Sequence, residues 1–380
     1  MKLFDVYPLF DLELVRAQGS YVWDKAGRRY LDLYGGHAVI SIGHTHPHYV
    51  QKITEQLGRL AFYSNSILNP LQDELAEKLG RLSGHNDFSL FLINSGAEAN
   101  ENALKLASFH NRRTKVIAFK RGFHGRTAGT VAITDNPSLC APINSQQHVQ
   151  FLPYNDVAAL EQAMSEEVCA VIIEGIQGLG GIYVGTDEFW QAARQLCDRF
   201  GAVLISDSVQ CGYARSGKFF SHQFSGVEPD LITTAKGMGN GFPIGSVLIH
   251  PKFQAKYGLL GTTFGGNHLA CAAAIAVLDV IEQENLLVHA ELLGNYLMAK
   301  LRQIEGVREV RGRGLMIGIE LESEAKPVRD ALLFQHGVFV GSSSDKNTIR
   351  LLPALNLPCE AAQEFLEKFA LVMSEVAVAT

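Results

Sequence analysis

Three short segments of this 380-residue chain put chemically able side chains where apolar runs end. In TTAKGMGNGFPIG, residues 233–245, Lys236 directly follows an apolar run and precedes a glycine-rich loop. Lysines are rarely buried without a partner, and an amine with an ordinary pKa of about 10.4 at a strand end suits either phosphate binding or Schiff-base chemistry. Taken alone it fits a snorkelling surface lysine equally well.

In AVLISDSVQCG, residues 202–212, Asp207 closes a second apolar run and Gln210 follows three residues later. Alone, Asp207 also fits a helix N-cap. A right-handed crossover of about thirty residues would place its strand and that of Lys236 in one parallel sheet, with both side chains at the same crevice. In NSGAEAN, residues 94–100, a strand end opens a helix whose exposed N–H groups can bind phosphate. Ser95 and Glu98 also fit a capping box, and the two readings are compatible.

The elements that must position these groups follow from patterning. Apolar runs at 88–93, 115–118, 169–173, 202–206 and 231–234 alternate with helical periods, which predicts an α/β fold with a mainly parallel sheet flanked by helices. Ligands bind such sheets outside the carboxyl ends of the strands. Beyond Gly265 and Gly266 the pattern changes. Residues 269–281 are apolar nearly all round, a more polar helical stretch runs to about 301, and short strands within 307–321 and 337–357 precede a closing helix striped by Ala362, Phe365, Leu366, Phe369, Val372 and Met373. The expected division is a large domain over 45–266 and a smaller α+β domain from 1–44 and 267–380.

Composition excludes several classes. Apolar residues make up 47% and charged residues 19%, ordinary globular usage that disfavours disorder and coiled coil. A net charge of -6 without one-sign blocks argues against a nucleic-acid partner. No signal-peptide pattern opens the chain, and 269–281 is too short for the roughly 20 residues of a membrane span, so a cytoplasmic protein without a membrane partner is expected. Six scattered cysteines read as reduced thiols. GHTHPH, with His44, His46 and His48, lacks further visible ligands, so no metal is expected. The arginines of 302–313, interleaved with Glu305 and Glu309, read as a solvated face.

A phosphate cradle, an amine and an acid for a ring nitrogen together meet the needs of pyridoxal 5′-phosphate. With NSGAEAN, FHGRT (123–127), EGIQG (174–178), SDSVQ, AKG, TTFGGN (262–267) and IRLLPALN (349–356), the chain resembles the class-III, fold-type-I pyridoxal-phosphate aminotransferases, the acetylornithine aminotransferases most closely. The resemblance implies that Lys236 makes the Schiff base and Asp207 pairs with the ring nitrogen. It further implies that Gln210 contacts the ring hydroxyl region and Phe123 stacks on the ring, with His124 beside it. Ser95, Gly96 and Ala97 would take the phosphate, and Thr263 would reach the cofactor of a second subunit, so a homodimer is expected. Arg350 would receive the α-carboxylate of 2-oxoglutarate, Arg126 the distal or acylornithine carboxylate, and Thr262 a substrate contact.

The implied reaction moves the terminal amine of an N-acylornithine to 2-oxoglutarate in arginine biosynthesis. Acylation silences the α-amine and leaves the α-carboxylate as a handle. Acetyl and succinyl donors both fit, and the alternative is another ω-aminotransferase acting on ornithine, 4-aminobutyrate or a diamine. Four positions depart from many relatives: Ala97 replaces a threonine, Leu179 a glutamate that masks the α-carboxylate arginine, and Ser208 and Cys211 stand where relatives commonly read DEVQTG.

Overall fold

The computed structural model describes residues 1–145 and 148–379, and side chains only to residue 375. A seven-stranded sheet forms its centre from β4 (Ser89–Ile93), β5 (Lys115–Phe119), β6 (Val149–Leu152), β7 (Val168–Glu174), β10 (Val203–Asp207), β11 (Leu231–Thr234) and β12 (Gly245–Ile249), in spatial order β4-β12-β11-β10-β7-β5-β6. All neighbours are parallel except β12, which runs antiparallel to both β4 and β11. Strand β7, VCAVIIE, is buried throughout, as a strand covered on both faces must be.

Two cores cover the two faces. On one, Ala99, Ala103, Leu106 and Ala107 of α4 (Gly96–Asn111) pack on Ile172, Ile205 and Leu231. On the other, α6 (Val157–Ala163) and α7 (Asp187–Phe200) bring Leu160, Phe189, Trp190 and Cys197 onto Val171, Ile173 and Leu204.

The five expected strands all form. Missed were β6, a half-buried edge strand, and β12, whose GSVLI opens on a glycine and is too short to stand out from the loop before it.

N-terminal strands β1 (Leu14–Gln18), β2 (Tyr21–Asp24) and β3 (Arg29–Asp32) form a meander that accepts β15 (Val338–Phe339) beside β3 in parallel. After β3 the chain makes the turn α1 (Gly35–Ala38), then α2 (Pro47–Leu57) and α3 (Pro70–Ser83). The short α5 (Ala128–Ala132) follows β5, and a two-residue ladder joins β8 (Ile176–Gln177) to β9 (Tyr183–Val184). Helix α8 (His268–Gln283) is buried at every residue from Ala270 to Ile281, because it packs against α2, α3 and α9 (Leu286–Leu301).

The last part of the chain forms an antiparallel sheet in the order β13 (Val307–Arg313), β14 (Met316–Leu321), β17 (Thr348–Leu351), β16 (Gly341–Ser342), with α10 (Ala325–Phe334) and α11 (Cys359–Ala379) packed on each other. In α11, Phe365, Phe369 and Val372 are fully buried.

The arginine-rich stretch is not wholly solvated. Arg311 is buried, stacked 4.3 Å from the centre of the Tyr183 ring and bonded to Glu309, Glu320, Thr348 and the Gly181 carbonyl. Its planar fork serves four acceptors at once, a use that a count of neighbouring charges could not reveal. His44, His46 and His48 pair with three different carboxylates, Asp32, Glu284 and Asp279, so the cluster ties elements together. All six cysteines are free, and no helix among the described residues is long and apolar enough to cross a membrane.

Candidate active site

At the carboxyl ends of β7, β10 and β11 lies a cavity of about 270 Å³. Gly96, Ala97 and Asn100 of α4 line it with Phe123, His124, Gly125 and Arg126 from the loop after β5. Glu174, Asp207, Val209, Gln210 and Lys236 complete the wall. Three segments far apart in sequence meet there because parallel strands direct all their carboxyl ends to one edge.

Asp207, 3% exposed, ends β10 with both carboxylate oxygens hydrogen-bonded. Oδ2 accepts from Asn100 Nδ2 at 2.8 Å and lies 2.7 Å from His124 Nδ1, and Oδ1 accepts from the Val209 N–H at 3.0 Å. Burial pulls the pKa of His124 down, but the bond to Asp207 together with the charges of Asp207 and Glu174 outweighs it, and the net shift is upward. Asn100 is fixed in turn: Thr233 Oγ1 donates to its Oδ1 at 2.7 Å, and its Nδ2 also reaches the His124 carbonyl at 2.8 Å.

Lys236 follows β11 at φ +48°, in the left-handed region, and opens a 3₁₀ turn whose Gly237 carbonyl accepts from Ser41 Oγ. Burial lowers the pKa of its amine, while the charges of Asp207 and Glu174 oppose the shift. A less protonated amine is a better nucleophile.

Ser95 Oγ accepts from the Glu98 N–H at 3.2 Å, so Ser95 is the N-cap of α4 and is not among the cavity's lining residues. The reverse bond of the expected capping box shifts by one residue: Glu98 Oε2 accepts from the Asn94 N–H, not from Ser95. Gly96 and Ala97 then occupy the first two helical positions, where amides have no intrahelical acceptor and the helix dipole favours an anion. Gly96 is sterically required, since a Cβ there would fall 2.6 Å from Val209 Cγ1.

Arg350 on β17 is 1% exposed and donates through Nη1 to Gln210 Oε1 at 3.3 Å and through Nε to the Ser342 carbonyl. Burial lowers its pKa to about 10. Gln210 also donates through Nε2 to the His37 carbonyl at 3.1 Å. Arg126 is exposed on the cavity rim. Thr262 and Thr263 lie outside this chain's cavity. The Thr262 hydroxyl accepts from the Gly265 N–H at 3.1 Å, and Thr263 is exposed.

Sequence reasoning passed over Asn100 and Glu174 as site residues. Asn100 lies one helical turn beyond Gly96, hence on the same face, a signal already present in NSGAEAN. Glu174 ends β7 in register with Asp207, and its oxygens accept from the N–H groups of Phe123 at 2.9 Å and Gly178 at 3.0 Å. Tyr34 and His37 carried no sequence signal, because α1 reaches the site only through tertiary packing against the Lys236 turn.

These residues fit pyridoxal phosphate group for group. Two unpartnered amide positions at a helix start meet an anion, a donor-lined buried carboxylate meets a protonated ring nitrogen, and an amine stands beside them.

The profile described as aminotransferase class-III matches residues 5–373. The acetylornithine aminotransferase of Archaeoglobus fulgidus is 40% identical over 356 residues, 93% of each chain. A crystal structure of the acetylornithine aminotransferase of Elizabethkingia anophelis superposes with a TM-score of 0.84 at 30% identity, covering 98% of this chain and 96% of that one. The ornithine aminotransferase of Toxoplasma gondii gives 0.93 at 27% identity, covering 100% and 94%. The chain belongs to the class-III aminotransferase family, with the type-I fold of pyridoxal-phosphate enzymes and pyridoxal 5′-phosphate as its cofactor.

Proposed function

We propose that the chain transfers the terminal amino group of an N-acylornithine to 2-oxoglutarate, giving N-acylglutamate 5-semialdehyde and glutamate, in arginine biosynthesis. The observation that carries this reading is the similarity, at 37–40% identity over nearly the full chain, to several acetylornithine aminotransferases. The site supports it with two arginines near the lysine, Arg350 buried behind Gln210 and Arg126 on the rim, as donor and acceptor carboxylates need.

When bound, pyridoxal phosphate supplies an aldehyde that captures the amine and a ring that withdraws electrons from it. Lys236 Nζ would anchor it and, once freed, would act first as the base that takes the proton from the substrate carbon bearing the amine and then as the acid that gives it up at a different carbon. Asp207 would hold the proton on the ring nitrogen, with Asn100 and His124 keeping its carboxylate aimed. Gly96 and Ala97 N–H groups would take the phosphate, Ser95 shapes that helix start, and Phe123 and Gln210 would contact the ring. Arg350 grips the α-carboxylate of 2-oxoglutarate, and Arg126 the distal carboxylate or that of the donor.

A homodimer goes with this reading. Leu60, Phe62, Tyr63, Ile67, Leu68 and Phe264 are exposed apolar side chains around the segment carrying Thr262 and Thr263, where a second subunit would cover them and receive Thr263 at its cofactor. A cytoplasmic location, and domains over 45–266 and over 1–44 with 267–380, complete it. Steady-state rates with acetylornithine, succinylornithine, ornithine and 4-aminobutyrate, each with 2-oxoglutarate, test it. An N-acylornithine is expected to give the highest kcat/KM, and a preference for an unacylated amine overturns the reading.

A further inference from the structure

Arg350 is not the only arginine buried with neutral acceptors. Arg215, in the loop after β10, is 2% exposed and donates through Nη1 to the Leu315 carbonyl at 3.3 Å and to the Pro353 carbonyl. Burial alone shifts its pKa, down to about 9. A buried charge of this kind stabilises a fold poorly, and an apolar side chain of similar volume often does as well. What a guanidinium offers instead is geometry, since its planar fork holds acceptors in fixed directions.

The two carbonyls it holds lie at one end of one ladder. Leu315 immediately precedes β14, Pro353 lies just beyond the end of β17, and these strands pair with Ile317 opposite Leu351 and Gly318 opposite Arg350. Arg350 thus belongs to the pair next to the end that Arg215 grips. The contact is reciprocal, because the Leu315 N–H donates to the Arg215 carbonyl at 3.0 Å. It is also close: a Cβ on Gly314 would fall 2.5 Å from the Ser216 carbonyl carbon, so only glycine, here at φ +53°, lets the two backbones meet.

The loop that carries Arg215 begins at Asp207 and is hydrogen-bonded along its length. Asp207 Oδ1 accepts from the Val209 N–H at 3.0 Å, the Ser208 carbonyl from the Gly212 N–H at 3.0 Å, and the Gly212 carbonyl from the Arg215 N–H at 3.3 Å. Gln210, in the same run, accepts from Arg350 Nη1 at 3.3 Å. One loop therefore meets β17 twice, through Gln210 at the Arg350 side chain and through Arg215 at the backbone just beyond it. Leu352 and Leu355 also donate their N–H groups to the carbonyls of Leu33 and Ser41, so losing Arg215 would shift the end of β17 without releasing it.

We propose that Arg215 is a positioning residue for the keto-acid substrate: by locking the end of the β14–β17 ladder to the loop after β10, it sets where the Arg350 guanidinium lies relative to Asp207 and Lys236. This rests on the reading above that Arg350 grips the α-carboxylate of 2-oxoglutarate. A two-bond grip on a carboxylate depends on alignment, and a misplacement of about 1 Å that starts far from the chemistry can cost about a hundredfold. The donor, held through Arg126 in that reading, does not depend on Arg215.

The test uses the holoenzyme and glutarate, which has both carboxylates of 2-oxoglutarate and no carbonyl to react. Arg215→Met is expected to raise the glutarate dissociation constant, read by calorimetry, by about tenfold or more. The single-turnover rate with whichever of N-acetylornithine and N-succinylornithine the wild type uses should stay within about twofold. Arg215→Lys, which keeps a donor on a shorter side chain, should fall between, and it carries the test by itself if the Met variant does not fold. Wild-type glutarate affinity in a folded variant, or equal losses with glutarate and donor, overturns the proposal and leaves Arg215 a support of the fold only. Arg350→Gln is the control: if it leaves glutarate affinity intact, the carboxylate reading of Arg350 falls and this one with it, whereas if it weakens glutarate and the Arg215 variants do not, only the Arg215 proposal falls.

Discussion

Glu174 and Asp207 are register partners at the carboxyl ends of β7 and β10, both buried, yet they are dressed differently. Asp207 receives side-chain donors from Asn100 and His124 besides one backbone amide, whereas Glu174 receives two backbone amides only. Burial raises the pKa of Glu174, with the charge of His124 opposing and that of Asp207 adding to the rise. Two carboxylates side by side in different surroundings can take different roles, and here the side-chain donors converge on Asp207.

The Asn100 contact gives the first prediction. Asn100→Ala removes a donor from a buried carboxylate and the acceptor of Thr233, and is expected to lower stability by about 1–3 kcal/mol. Urea unfolding of the holoenzyme reads that loss, and absorbance of bound cofactor should fall at limiting pyridoxal phosphate. Unchanged cofactor retention would show that Asn100 does not aim Asp207.

Close approach of α4 to Val209 gives the second. Gly96→Ala adds a Cβ that would lie 2.6 Å from Val209 Cγ1, so the helix start must shift and phosphate binding should weaken. Val209→Ala removes the obstructing methyl groups and is expected to recover most of the affinity in the double variant. A double-mutant cycle on the dissociation constant for pyridoxal phosphate checks this, with additive effects as the contrary result.

Lys236 yields a pH-dependent prediction. Because burial lowers its folded pKa below the unfolded 10.5, the folded apoprotein bears a cost that is fully present below the folded pKa and gone above about 10.5. Lys236→Met should therefore stabilise the cofactor-free protein at neutral pH, and the gain should shrink as pH rises toward 10.5. Denaturant midpoints across pH 7 to 10 measure it, and the same variant must have no transaminase activity.

His222 sets an acid limit. It is buried, its Nε2 has no partner, and burial pushes its pKa down to about 3. The unfolded chain binds the extra proton between about pH 6.5 and 3, so stability falls as pH drops through that window, by about 1.4 kcal/mol per pH unit. His222→Phe, which keeps a ring beside Phe220, should flatten that slope. An unaltered acid profile would place the titrating group elsewhere.

Much of the site was legible in order of residues because strand ends announce themselves. Lys236, Asp207 and Gly96 each follow an apolar run, and a parallel sheet sends such ends to one edge whatever the rest of the chain does. Asn100 was legible in principle, one turn along a helix whose start was already recognised. Strands β6 and β12 were not, since an edge strand and a short glycine-led return strand leave weak periodicity.

The sequence by itself determined the alternation of strands and helices, the family motifs and the chemistry of the lysine and its acid, because those depend on local periodicity and on residue type. Tertiary structure alone decided that the His37 carbonyl reaches Gln210 and that Arg350 is buried with only neutral acceptors. Those facts depend on packing between segments far apart in the chain, and no local pattern encodes which charge a fold will leave unpaired.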